Sequence, residues 1–242
     1  MTARMASFAL NSLDPVAYDG WDGRLSGCWK DSDLMMKLAG DAGFEVLQSF
    51  RDAEATGAAL KVVLEEQAAR MQSGDTFMLC FSGHGVQLPA VGSDPEPDGL
   101  DEAICLWGST FLDDEINQCF AGFRPGVRVI FTCDACHSAT MGRDRTAVQN
   151  ALRHMDRDRG KAIQANVITL SGCEDTATSA DTRAGGLMTV TLVRTWNEGR
   201  FQGNWRQFHR TMKRHMPKKQ QPYLDLLGPI DEAWLREKPF TP

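Results

Sequence analysis

Apolar positions along the chain fall into short runs that alternate with longer segments of helical period. Ser7 to Leu10 reads as a weak, polar first strand, and Gly27 to Ala42 as a helix with Leu34, Met35 and Leu38 on one face. Gly43 supplies a helix stop, and Phe44 to Leu47 is a short strand behind it. A long helix follows from about Ala55 to Met71, in which Leu60, Val63, Leu64, Ala68 and Met71 keep the helical repeat. Two strongly apolar strands come next, Thr76 to Phe81 and Val127 to Thr132, and Val167 to Leu170 repeats their design. Helices at about Gly186 to Asn197 and Trp205 to Met216 precede a strand-like Tyr223 to Leu227. Strands interleaved with helices require crossover connections. The expected fold is therefore α/β, with a mostly parallel central sheet flanked by helices on both faces.

Two long stretches suit neither period. Val86 to Glu102 is rich in Pro, Gly and Asp, and Ala139 to Ala165 carries Arg143, Arg145, Arg153, Arg157, Arg159 and Lys161 with little apolar pattern. Loops of that length in a compact domain tend to be functional. Both follow the C-terminal end of an expected strand, the edge at which open α/β sheets form ligand sites.

Length and charge narrow the class. At 242 residues the chain is short enough for one core. Acidic residues outnumber basic ones, 32 to 26, and a net charge of −6 gives no generic attraction to nucleic acid or anionic membrane. Neutral or basic partners are expected. No signal-length apolar run precedes Asp14 and no later stretch is long enough to span a bilayer, so a cytoplasmic location is expected. Seven cysteines, an odd number without framework spacing, read as reduced thiols with one reactive member.

The candidate chemistry sits at two strand ends. The first apolar strand runs into Ser82, Gly83, His84 and Gly85, where flanking glycines allow a sharp turn and an accessible imidazole. The second runs into Cys133, Asp134, Ala135, Cys136, His137 and Ser138. Cys and His on neighbouring strand ends can lie within hydrogen-bond reach of one another, and imidazole then deprotonates the thiol or pairs with the thiolate. Nucleophilic catalysis is the expected chemistry. Cys133 continues the Val127, Val129, Phe131 alternation and is expected to face the core. The run Cys133 to His137 also spells CxxCH, the attachment motif of c-type haem, which stands as an alternative.

Five separated motifs, in this order, resemble the metacaspases and bacterial orthocaspases, caspase-like cysteine proteases of peptidase family C14. They are the Gly27-Cys28-Trp29-Lys30-Asp31 segment, SGHG, DACHS, SGCEDTATSAD and KKQQPYLDLL, with DGLDEAI lying between the second and third. The resemblance runs from about Leu10 to Leu227, and Ala135 stands where the family usually has Ser. It implies a single caspase-like (caspase-hemoglobinase) domain: a large-subunit-like part to about 142, a basic linker to about 165 and a small-subunit-like remainder.

The resemblance also implies roles. Cys136 is the nucleophile, His84 its acid/base partner, and the backbone N–H groups of Gly85 and Cys136 the oxyanion donors. Cys28, Asp31, Ser82 and Asp134 match the pocket for the residue before the cleaved bond, where two carboxylates favour Arg or Lys over Asp. Asp113 and Asp114 match a paired-aspartate calcium segment to which Asp98, Asp101 or Asp144 add oxygens; no organic cofactor is implied. Self-cleavage after one of the basic residues from Arg143 to Lys161 is a further expectation. So are a peptide or protein substrate, a monomer rather than a caspase-type dimer, a recruiting or regulatory protein, and a role in bacterial defence or regulated death. A catalytically silent scaffold is the rival within the same fold.

Overall fold

The computed structural model describes residues 1–89, 100–137, 162–172, 185–218 and 220–242. Its strands are β1 (Ala3–Ala9), β2 (Glu45–Arg51), β3 (Thr76–Pro89), β4 (Leu100–Leu106), β5 (Ser109–Leu112), β6 (Arg128–His137), β7 (Asn166–Ser171) and β8 (Tyr223–Leu227). They form one sheet in the order β2-β1-β3-β6-β7-β8, with β4 paired to β3 and β5 to β4. The five strands from β2 to β7 along that path run parallel, while β8, β4 and β5 are antiparallel to their neighbours.

Period-two alternation in the central strands assigns each face its own core. Phe77, Leu79 and Phe81 of β3 and Val129, Phe131, Cys133 and Ala135 of β6 face one way. Helices α2 (Gly57–Arg70) and α3 (Asp113–Phe120) cover that side with Leu60, Leu64, Ile116 and Phe120. Met78, Cys80 and Ile130 face the other way. There they meet α1 (Cys28–Ala42), α4 (Leu187–Trp196), α5 (Trp205–His215) and α6 (Glu232–Arg236), through Met35, Leu38, Leu192, Phe208 and Trp234 among others. Helices on both faces of a mostly parallel sheet match the expected architecture.

Three boundaries differ from the expectation, each for a physical reason. The first strand is neither weak nor marginal: Met5, Ala6, Phe8 and Ala9 are fully buried between β2 and β3. Its polar look comes from Arg4, which pairs with Glu45 at 2.9 Å, and from buried Ser7. The 86–102 stretch is not wholly a loop, because β3 continues through His84 to Pro89 and pairs with β4. Likewise β6 runs on through Cys136 to His137. Strand β5 and helices α3 and α6 are too short for a periodic signal, and β4 begins inside the stretch whose Pro, Gly and Asp content reads as loop.

Candidate active site

The hydrogen-bonded register of β3 and β6 lays the two motif segments side by side. Ser82 pairs with Asp134, His84 with Cys136 and Gly85 with His137. Adjacent strands lie about 4.8 Å apart, so the backbone alone brings positions 84 and 136 into one small region beyond the core.

His84 is half-buried and fixed by the loop between β1 and α1. Its Nε2 lies 2.9 Å from the Gly23 carbonyl oxygen. A carbonyl only accepts, so Nε2 carries the proton of the neutral ring and Nδ1 is left as the basic nitrogen. The Trp21 ring packs against the imidazole with centroids 4.7 Å apart, and Tyr18 meets Trp21 edge-on at 6.2 Å. The Tyr18 hydroxyl sits 2.7 Å from the carbonyls of both Leu106 and Ser109, tying the loop to β4 and β5; burial raises its pKa. The loop also closes on itself through Leu13 N–H to Asp22 O and Leu25 N–H to Asn11 O, at 2.8 and 2.9 Å. Trp21 and Gly23 were not legible as site residues, since a loop tryptophan and a backbone carbonyl leave no chemical signature.

The acidic positions converge on one end of α4. The Ser82 hydroxyl donates to Asp31 Oδ2 at 2.7 Å, and the Gly186 N–H donates to Asp31 Oδ1 at 2.8 Å. Asp134 Oδ2 accepts from the Thr189 N–H, also at 2.8 Å. Both carboxylates are buried, at 3% and 9% exposure, which is rare unless such groups are paired or hydrogen-bonded. Burial raises the Asp134 pKa, and the Thr189 backbone and side-chain donors oppose that rise. Cys28 lies one turn before Asp31 at the start of α1, whose first amides are capped from outside the helix: Asn11 Oδ1 accepts from Cys28 and Trp29 at 3.0 and 3.4 Å.

Cys133 is buried in the core, as its alternation implies. It belongs to a central strand, paired with Phe81 on one side and Ser171 on the other. That setting gives a haem no place beside Cys133. On the same face a cleft of about 510 Å³ opens beside Gly85 and is lined by Glu102, Asp113 and Asp225 over Phe131 and Cys133. Asp113 and Asp114 stand in the first turn of α3, the Asp114 N–H donating to Asp113 Oδ1 at 2.9 Å. Among the described residues no group of three or more His, Cys, Asp or Glu side chains is placed to hold a metal ion. Asp98, Asp144 and the basic residues Arg143, Arg145, Arg153, Arg157, Arg159 and Lys161 lie outside the described residues. No described helix is long and apolar enough to cross a membrane.

Compared with models of known families, residues 13–229 match the caspase domain of peptidase family C14. The chain belongs to the caspase-domain family. Within this family of cysteine peptidases the relatives it matches include metacaspases of plants, fungi and trypanosomes. Metacaspase-1 of Arabidopsis thaliana is 34% identical over 139 residues, covering 51% of this chain, and Metacaspase-1B of Aspergillus terreus is 27% identical over 217 residues, covering 66%. This caspase domain spans 37% and 57% of the lengths of those two relatives. A crystal structure of a Geobacter sulfurreducens protein superposes with a TM-score of 0.88 at 31% identity, covering all of this chain and 99% of that one.

Proposed function

We propose that this caspase domain is a cysteine endopeptidase that cuts after Arg or Lys, with Cys136 as nucleophile and His84 as acid/base. The observation that carries the reading is the strand register: it pairs His84 with Cys136 and, two residues earlier on the same strands, Ser82 with Asp134. In this mechanism His84 Nδ1 takes the Cys136 thiol proton and the thiolate attacks the scissile carbonyl carbon. The carbonyl oxygen becomes an oxyanion met by the backbone N–H groups of Gly85 and Cys136. Collapse breaks the C–N bond, His84 passes its proton to the leaving amine, and water then hydrolyses the thioester with the same imidazole as base. The Gly23 carbonyl holds the ring in the required tautomer throughout, a task that a carboxylate performs in other catalytic triads.

Specificity follows from charge. Asp31 and Asp134 are two buried carboxylates about Gly186, and a guanidinium or ammonium satisfies them where an aspartate side chain would be repelled. If calcium regulates the enzyme, Asp113 and Asp114 would supply two of the six to eight oxygens that this cation takes, and no catalytic step would run through it. Self-cleavage after a basic residue between Arg143 and Lys161 follows from the same specificity.

The test is a peptide library incubated with the protein, with and without calcium, while the chain itself is weighed by mass spectrometry. Cleavage confined to sites after Arg or Lys, faster with calcium, with the chain cut between residues 143 and 161, is the expected pattern. Cleavage after Asp, or none while Cys136 titrates as a free thiol, defeats the reading. Trp21 supplies a second check. Trp21→Ala is expected to lower kcat roughly tenfold with little change in KM, because it loosens the imidazole rather than the pocket, and Trp21→Phe is expected to recover most of it. Equal losses in Trp21→Ala and Trp21→Phe would place the role of the residue elsewhere.

A further inference from the structure

Both acidic groups are held by the same short piece of chain, and it is built to touch them. Gly185 has φ of +112°, a conformation strained for any residue with a side chain. A Cβ there would overlap Asp31 Oδ1. At Gly186 a Cβ would overlap Asp134 Oδ2 and come within 2.8 Å of its Cγ. Each glycine therefore leaves no room for a side chain beside a different carboxylate, and the Gly186 N–H bonds to one while a Cβ on it would run into the other. One turn on, buried Thr189 gives Asp134 its N–H at 2.8 Å, and its side chain opposes the rise that burial imposes on the Asp134 pKa.

The arrangement is more than a cap for α4. Gly186, the N-cap residue, provides no side-chain acceptor, and Asp134 reaches across from β6 to take the Thr189 amide instead. The converse effect is larger for function. Amides at the start of a ten-residue helix donate to two buried carboxylates, and at Asp134 they oppose the rise in pKa that burial causes. A carboxylate accepts up to about four hydrogen bonds, so amide donors orient it without exhausting it.

We infer that Gly185, Gly186 and Thr189 are positioning residues for basic-side-chain recognition, fixing Asp31 and Asp134 in the geometry that a guanidinium or ammonium meets. This deepens the reading of the pocket given above and rests on it. Thr189 holds Asp134 through its amide, and the absence of side chains at the glycine pair leaves both carboxylates undisturbed. The surface that selects the substrate is thus completed by a helix that follows the basic segment in sequence, not by the catalytic strands alone.

The test compares two peptides that differ only at the residue before the cleaved bond, Arg in one and uncharged citrulline in the other. Both are turned over by full-length wild type, Thr189→Val, Thr189→Ser and Gly186→Ala. Thr189→Val, which keeps shape and amide but loses the hydroxyl, is expected to raise KM for the Arg peptide roughly five- to tenfold, because a polar group that helps steady the Asp134 carboxylate is gone. Its kcat stays within about twofold and its citrulline kinetics do not change. Thr189→Ser restores the wild-type KM. Gly186→Ala brings the Arg-to-citrulline ratio close to one. If Gly186→Ala fails to fold, the Thr189 series decides alone. A Thr189→Val enzyme with wild-type KM for Arg, or one that loses both peptides equally, overturns the inference while leaving the Arg preference of the wild type standing. A wild type that does not prefer Arg to citrulline overturns the pocket reading and this inference together.

Discussion

Replacing Cys136 by Ala is expected to lower peptide cleavage by roughly 10⁴-fold or more, replacing His84 by Ala to do the same, and the double variant to be no worse than either alone. The non-additivity is the informative part. A thiol without its base and a base without its thiol each leave only whatever rate the remaining binding and oxyanion groups supply, so the second loss removes nothing further. Cys133→Ala is the control within the same motif. Cys133 is buried in the core between β3 and β7, so its truncation is expected to lower the melting temperature modestly and leave most of the turnover. An inactive Cys133→Ala beside an active Cys136→Ala would move the nucleophile three residues upstream and break the pairing of positions 84 and 136 on which the mechanism depends.

The second large effect belongs to Asp134. Asp134→Asn keeps the shape and still accepts from the Thr189 amide, but it removes one of two charges from a buried pair with the substrate, so kcat/KM for Arg peptides is expected to fall roughly a hundred- to a thousandfold. Stability is expected to move the other way. Because burial raises the Asp134 pKa, the folded state binds its proton more readily than the unfolded state. This group's contribution to stability is therefore most favourable in acid and declines as pH rises from the ordinary aspartate pKa through the raised one. The Asn variant does not carry the desolvation cost of ionising a buried carboxyl, so it should melt no lower than wild type. In the wild type, KM for Arg peptides should rise on acidification at a higher pH than an ordinary aspartate would dictate. A variant that melts much lower, with unchanged Arg kinetics, would make Asp134 a structural cap for α4 and nothing more.

Much of this was legible in the chain because the relevant signals are local. Apolar runs as dense as Thr76 to Phe81 and Val127 to Thr132 admit few assignments other than buried strands, and once both are parallel neighbours their polar ends must adjoin. Asp31, Ser82 and Asp134 were singled out by the family resemblance, and the fold places Asp31 in the first turn of α1 and the other two at those strand ends. Elements held by distant partners were not legible. Ser109 to Leu112 forms a strand because Leu106 pairs back onto Ser109 and because Tyr18 hydrogen-bonds both carbonyls from another loop. Gly185 and Gly186 read in sequence as an ordinary helix start, and only the folded chain shows two carboxylates pressed against them.

The Gly23 carbonyl has a consequence for what selection on this protein can see. Every residue type has a main-chain oxygen, so the group that steadies the imidazole cannot be lost by point substitution, and a saturation mutagenesis map of the loop would record no chemical requirement at position 23. It would record a steric one instead. Gly23 has φ of +51°, and a Cβ there would meet the Leu13 side chain at 2.7 Å and His84 Cδ2 at 3.2 Å. Depletion of variants should therefore track side-chain size at positions 13 and 23 together, and a smaller residue at 13 should rescue alanine at 23. The catalytic role is exposed only by editing the backbone itself. Shifting the carbonyl changes the tautomer of His84 without altering a single side chain, which makes this loop a place where activity drifts through packing changes that look neutral one at a time.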